Sequence, residues 1–256
     1  MFYRPRIIPF LTIINNDLVK TSKFEDPRYL GDPVNAVKIF NGKMVDELCV
    51  LDIRATQEGN EPNFELLQDI AAQAFMPLSY GGGLSSMDQV QRIIHMGYEK
   101  VVFNTALWHH PEVVQEAVSF LGSSGVVASI DVKRINGHYV PVVSGGREEL
   151  AVSLEEYLTL IGSYHVGEIV INSIENDSAM SGYDEALIQL VSANCDVPVI
   201  ALGGAGSMDD FQQAIQAGAH AAGASSLFVY FGAKRTVLIT HPSQKEIDQL
   251  WNQASK

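Results

Sequence analysis

Cysteine is nearly missing from this chain: Cys49 and Cys195 are its two copies in 256 residues. Two thiols so far apart, each inside a strand-like or loop-like stretch, exclude a disulfide framework or a cysteine metal cluster and fit a reducing cytoplasm. Positive charge is scarce too, with 17 Lys and Arg against 30 Asp and Glu, a formal net charge of −13. That argues against a nucleic-acid surface. An anionic ligand would have to be met locally, by backbone N–H groups and a few cations. No apolar run approaches the ~18–20 residues of a membrane span. The opening Met1-Phe2-Tyr3-Arg4-Pro5-Arg6 leads straight into a strand without the apolar segment of a secretion signal. There is no Pro/Ser-rich linker, so one domain over residues 1–256 is expected. His95, His165, His220 and His241 show no ligand spacing, and the neighbours His109 and His110 face different ways on any regular element. They read as surface or packing residues, and neither a metal nor an organic cofactor is expected.

What the chain does have is a repeat. Tyr80-Gly81-Gly82-Gly83, Ser86-Met87-Asp88, Ile94, Gly97 and Asn104-Thr105 return 121 residues later as Leu202-Gly203-Gly204, Ser207-Met208-Asp209, Ile215, Gly218 and Ser225-Ser226. Internal repeats decide architecture before any local reading does. Each copy reads as a short apolar strand, a glycine turn, an amphipathic helix with apolar residues at i, i+3, i+4, a glycine stop and a second strand. Strands are expected at 6–14, 47–53, 76–80, 101–103, 126–131, 168–172, 197–202 and 221–224. Helices are expected at 33–44, 64–74, 86–96, 111–121, 153–163, 183–193, 208–217 and about 244–254. About eight strand–helix units in some 250 residues is the size of a (β/α)8 TIM barrel. Here it would be an α/β fold built from duplicated half-barrels of about 1–121 and 122–240; a doubly wound open sheet is the alternative.

A glycine pair between strand and helix lets the backbone approach an anion at a helix N-terminus. One such corner combines Gly82 and Gly83 with Asn104 and Thr105. Its twin combines Gly203 and Gly204 with Ser225 and Ser226. On opposite sides of an eight-unit mouth they imply a long ligand with a phosphate at each end. Shared ancestry without retained binding is the competing explanation.

These residues resemble the cyclase subunit of imidazole glycerol phosphate synthase over nearly the whole chain. The resemblance runs through Arg6-Ile7-Ile8-Pro9, Lys20, Gly31-Asp32-Pro33, Asp46-Glu47-Leu48, Leu51-Asp52-Ile53, the two glycine turns, Ile130-Asp131, Gly167-Glu168 and Ser181-Gly182-Tyr183-Asp184. It implies a barrel that docks a glutaminase at the strand N-terminal face and passes ammonia to a phosphorylated ribulosyl substrate at the other. It further implies a charged gate of Arg6, Glu47, Lys100 and Glu168 at the barrel base, although such a ring could equally serve only to seal it. Glu99, beside Lys100 at the barrel base, is either a contact for a glutaminase or simply a solvated charge.

The active face departs from the family pattern. Of the two aspartates that act as acid and base, Asp131 is present and the other position is Thr12, which cannot ionise near neutral pH. Asp17 is a nearby substitute, but it belongs to an Asn15-Asn16-Asp17 turn. Asp177-Ser178-Ala179 replaces Asp-Gly-Thr, Asn172 replaces a threonine, and Leu202 replaces a serine. Lys20 remains, and Asp52 faces the mouth, placed to orient Lys20 or Arg54 or, equally, to form a structural ion pair. An Asn136-Gly137 turn predicts a hairpin after the fifth strand. Retained gate and altered mouth resemble the diverged copies of the family encoded with surface-polysaccharide genes. Those accompany a glutaminase homologue and a sugar amidotransferase in converting an acetamido to an acetamidino sugar. An authentic cyclase with a rearranged base and a non-catalytic glutaminase-activating scaffold are the competing readings.

Overall fold

A computed structural model describes residues 4–253 of the chain. Eight parallel strands close on themselves: β1 (Arg6–Ile14), β2 (Leu48–Asp52), β3 (Leu78–Gly81), β4 (Lys100–Phe103), β5 (Val126–Ile135), β6 (Glu168–Ser173), β7 (Val199–Leu202) and β8 (Ala221–Ala224). Each pairs in parallel with the next, and the ring shuts where Arg6 to Pro9 run beside Ala221 to Ala224. Closure leaves no sheet edge, and the open-sheet alternative is excluded. Outside lie α1 (Pro33–Lys43), α2 (Phe64–Ala71), α3 (Met87–His95), α4 (Pro111–Leu121), α5 (Leu154–Gly162), α6 (Glu185–Ala193), α7 (Met208–Gln216) and α8 (Gln244–Gln253). Residue 254, the expected end of α8, lies outside the described residues.

The helices begin where short polar side chains cap them. Asp32 accepts from the Asn35 N–H ahead of Pro33. Ser86 and Gln89 form a capping box on α3, and Ser207 and Asp210 form the same box on α7, 121 residues on. Gly97 and Gly218 follow these helices with φ of 105° and 110°, a conformation that glycine adopts without strain.

Strand alternation sorts the core into two layers. Ile7, Leu11 and Ile13 of β1 face the helices. Ile8 and Phe10 face the barrel axis with Cys49, Val102, Val127, Val170, Ile200 and Ala221. Burial pushes the Cys49 thiol up to about 12, so it packs there as a small apolar side chain.

Two excursions rise from the strand C-terminal end. The chain after β1 turns at Asn15 and Asn16 into an antiparallel hairpin, residues 17–22 against 25–31. The Asn15-Asn16 turn is as expected from the sequence; the strands that follow it are not. The second is the expected hairpin on β5, where Asn136 and Gly137 form the turn and Asp131 to Ile135 pair with His138 to Val142.

Candidate active site

At the strand N-terminal end, period-two spacing brings Arg6, Glu47, Lys100 and Glu168 to one level of the axis. They form a closed ring: Arg6 bonds Glu47 at 2.5 Å and also Glu168, and Lys100 bonds Glu47 at 3.0 Å and Glu168 at 2.9 Å. Burial acts to lower the Arg6 pKa, but the Glu168 and Glu47 carboxylates more than offset it. Each charge faces two of opposite sign, which makes their partial burial tolerable. The apolar inner layer sits directly above.

At the other end a cavity of about 860 Å³ opens. Its floor includes Phe10, Leu51, Val102 and Leu202, and its walls hold Thr12, Lys20, Asp52, Asp131, Asn172 and Asp177. Thus the predicted active-face residues do converge. Asp131, at the barrel end of β5, is buried. It accepts from the Asn172 amide at 2.9 Å and the Asn104 amide at 3.1 Å. Burial pushes its pKa up to about 7, with a further push from Asp177, against the pull of the two amides. A carboxyl poised there exchanges protons readily at neutral pH.

Lys20 pairs with Asp177 at 2.7 Å, both buried, so its partner is not Asp52. Asp52 accepts instead from the Arg54 and Ala55 N–H groups at 3.1 Å, capping the short helix Ala55–Glu58. Its pKa is raised by burial, opposed by those two N–H groups. Thr12 donates its hydroxyl to the Val19 carbonyl at 2.5 Å, tying β1 to its hairpin. Asp17 is exposed at the hairpin turn, away from this cluster. Asn172 Oδ1 and Asp177 Oδ2 are buried without a partner among the described residues, on side chains that line the cavity.

The two glycine corners share a packing role. A Cβ at Gly82 would collide with the Asp52 carbonyl, and one at Gly203 would meet the Ser173 carbonyl at 2.7 Å. A Cβ at Gly83 would lie 2.7 Å from the Asn60 carbonyl, and one at Gly204 would collide with that of Gly182. In both halves, then, the glycines admit the loop of the preceding unit. The corners differ in access. Gly82, Gly83, Asn104 and Thr105 all line the cavity, whereas of their counterparts only Ser225 does.

Sequence reasoning placed His109 and His110 at the surface or in packing; both are exposed and rim the cavity, with His109 Nε2 2.9 Å from Glu148. It also missed Asn172, read there only as a departure. Period-two spacing from Glu168 and Val170 was the signal that it faces the axis.

A family model described as "Histidine biosynthesis protein" matches residues 6–234. The chain belongs to that family. The chain is 41% identical over 251 residues to "Putative imidazole glycerol phosphate synthase subunit HisF" of Leptospira borgpetersenii, covering 97% of the chain and 99% of the relative. It is 41% identical over 248 residues to "Putative imidazole glycerol phosphate synthase subunit hisF2" of Pseudomonas aeruginosa, covering 96% and 98%. Identity is 37% over 231 residues to "Imidazole glycerol phosphate synthase subunit HisF" of Streptomyces avermitilis, covering 90% and 92%. The chain is thus a HisF-like synthase subunit, in a family of lyase/cyclase barrels. No helix among the described residues is long and apolar enough to cross a membrane.

Proposed function

We propose that this HisF-like barrel receives ammonia from a glutaminase docked at its strand N-terminal face and passes it along the barrel axis to a phosphorylated acceptor in the opposite cavity. The ammonia enters through the Arg6–Glu47–Lys100–Glu168 ring, and Glu99 is exposed on the same face. Neutral ammonia suits the apolar layer around Ile8 and Phe10, which would strongly disfavour ammonium. Asp131 is the proton-transfer group, with Lys20 orienting the acceptor beside it.

The process served is acetamidino-sugar modification of a surface polysaccharide, with a sugar amidotransferase as a further partner, rather than histidine synthesis. The observation that carries this reading is Thr12. Its hydroxyl is occupied by the Val19 carbonyl, so one carboxyl, Asp131, serves where the histidine reaction uses two. A missing general base costs a typical 10²–10⁴-fold in rate. A pure glutaminase-activating scaffold is disfavoured by the buried Lys20–Asp177 pair and by an Asp131 poised near neutral pH. The division into duplicated half-barrels near residue 121 belongs to the same proposal, supported by the equivalent capping boxes and glycine contacts.

The test supplies purified protein with saturating ammonium and the bisphosphorylated ribulosyl-aminoimidazole precursor, beside a Thr12→Asp variant. The native chain is expected to give no turnover. Turnover would return it to histidine synthesis.

A further inference from the structure

We infer that this barrel takes an acceptor with a single phosphate group, a phosphomonoester held at the first-half corner, because the second-half corner is filled by the chain itself. The inference rests on the phosphorylated-acceptor reading above and narrows it.

Positions 121 residues apart make the comparison internal. Gly82, Gly83, Asn104 and Thr105 are all half-buried and line the cavity. Their counterparts Gly203, Gly204 and Ser226 are buried and do not; Ser225 alone reaches it. What occupies the second corner is Ser178. Its hydroxyl donates to the Thr21 carbonyl or to Ser226 Oγ, lying 2.7 and 2.6 Å from them. Ser226 Oγ is thus paired with Ser178 inside the corner. Ser178 holds φ of 62° to reach this place, a conformation costly for a residue with a side chain.

The loop carrying Ser178 is fastened on three sides. The Ser178 carbonyl accepts from the Arg235 guanidinium at 2.7 Å, and the Arg235 carbonyl accepts from Arg28 at 3.1 Å. The Gly182 N–H donates to the Gly204 carbonyl at 3.0 Å, and the Gly182 carbonyl accepts from the Asn176 amide at 3.1 Å. In the first half the residue equivalent to Ser178 is Gln57. Its amide donates to the carbonyl of Ser144, which neighbours Thr105, at 3.3 Å, and Gln57, Gly82, Gly83, Asn104 and Thr105 all remain on the cavity wall.

Of the groups lining the cavity, His109 pairs with Glu148, Arg54 lies 3.9 Å from Glu58 and Lys20 pairs with Asp177; Arg235 donates to the Ser178 carbonyl. Arg54 and Arg147 are the arginines on the cavity wall, and an anion in an acidic protein needs such local cations.

The test measures phosphate stoichiometry on the full-length chain by calorimetry, with inorganic phosphate, ribose 5-phosphate and ribulose 1,5-bisphosphate as probes. Native protein is expected to bind one inorganic phosphate, with the bisphosphate less than about tenfold tighter than the monophosphate, a gap of about 1.4 kcal/mol. Ser178→Gly is expected to admit a second phosphate, and Arg54→Ala to weaken the first at least about tenfold. Two phosphates on the native chain, a bisphosphate about tenfold tighter or more, or no saturable phosphate binding would each overturn the inference. Because the native chain alone decides, a variant that folds poorly does not blunt the result. Failure of the ammonia-delivery role would appear instead as histidine-precursor turnover, which phosphate stoichiometry does not report.

Discussion

Replacing Asp131 by asparagine isolates the electrostatic tension at the centre of the mouth. In the native chain this carboxyl titrates near 7, burial being the main cause, against about 3.9 in an unfolded chain. The folded protein therefore binds the proton more tightly than the unfolded one. Stability is greatest in acid, begins to fall as pH rises past 4, and has lost the full contribution once pH passes 7. With those two values the loss is about 1.5 kcal/mol at pH 5 and about 4 kcal/mol at pH 8. A side-chain amide at this position cannot ionise, so Asp131→Asn should gain about 2–3 kcal/mol relative to the native chain between pH 5 and pH 8. The variant offers one oxygen instead of two to the Asn104 and Asn172 amides. That lowers its stability by a nearly constant amount and leaves the pH slope intact. Urea unfolding of both proteins at pH 5, 6, 7 and 8 reads the difference directly, since groups away from Asp131 and its neighbour Asp177 titrate alike in the two. Parallel stability curves would refute a buried, destabilised carboxyl at this position.

Other substitutions probe the rest of the machinery. Lys20→Met strands the buried Asp177 carboxylate and should cost about 3–5 kcal/mol in urea unfolding; a loss below 1 kcal/mol would mean the pair is solvated. Thr12→Val removes the hydroxyl bonded to Val19 and should cost about 1–2 kcal/mol, while ammonia transfer in the glutaminase complex stays unchanged. A Thr12→Val variant that folds but transfers no ammonia would restore a chemical role to this residue. Glu47→Gln breaks a ring member that accepts from both Arg6 and Lys100. It should reduce glutamine-driven more than ammonium-driven transfer, and equal loss from both sources would remove the ring from the ammonia route.

Much of this molecule was legible in the residues themselves. Apolar strands, capped amphipathic helices and glycine stops are local signals, and the offset of 121 residues doubled their weight. Period-two spacing placed Arg6 and Thr12 on one side of β1, and Asp131 at the end of β5. The first hairpin escaped because its second strand, Glu25 to Gly31, is mostly exposed and so shows no apolar alternation.

The sequence alone therefore determined the strand–helix order and the charged residues at the strand starts, because each depends on residue type and spacing along the chain; the reading of Thr12 as a missing carboxyl came from the family resemblance. Only the tertiary structure decided that Lys20 faces Asp177 rather than Asp52, that Asn172 and Asn104 converge on Asp131, and that of two look-alike corners the first lines the cavity while most of the second is buried. Those outcomes rest on which side chains from distant loops reach the same few ångströms once the barrel closes. Ser178 and Gln57 stand 121 residues apart, yet one bonds Ser226 within its corner and the other the Ser144 carbonyl, a difference that spacing along the chain does not carry.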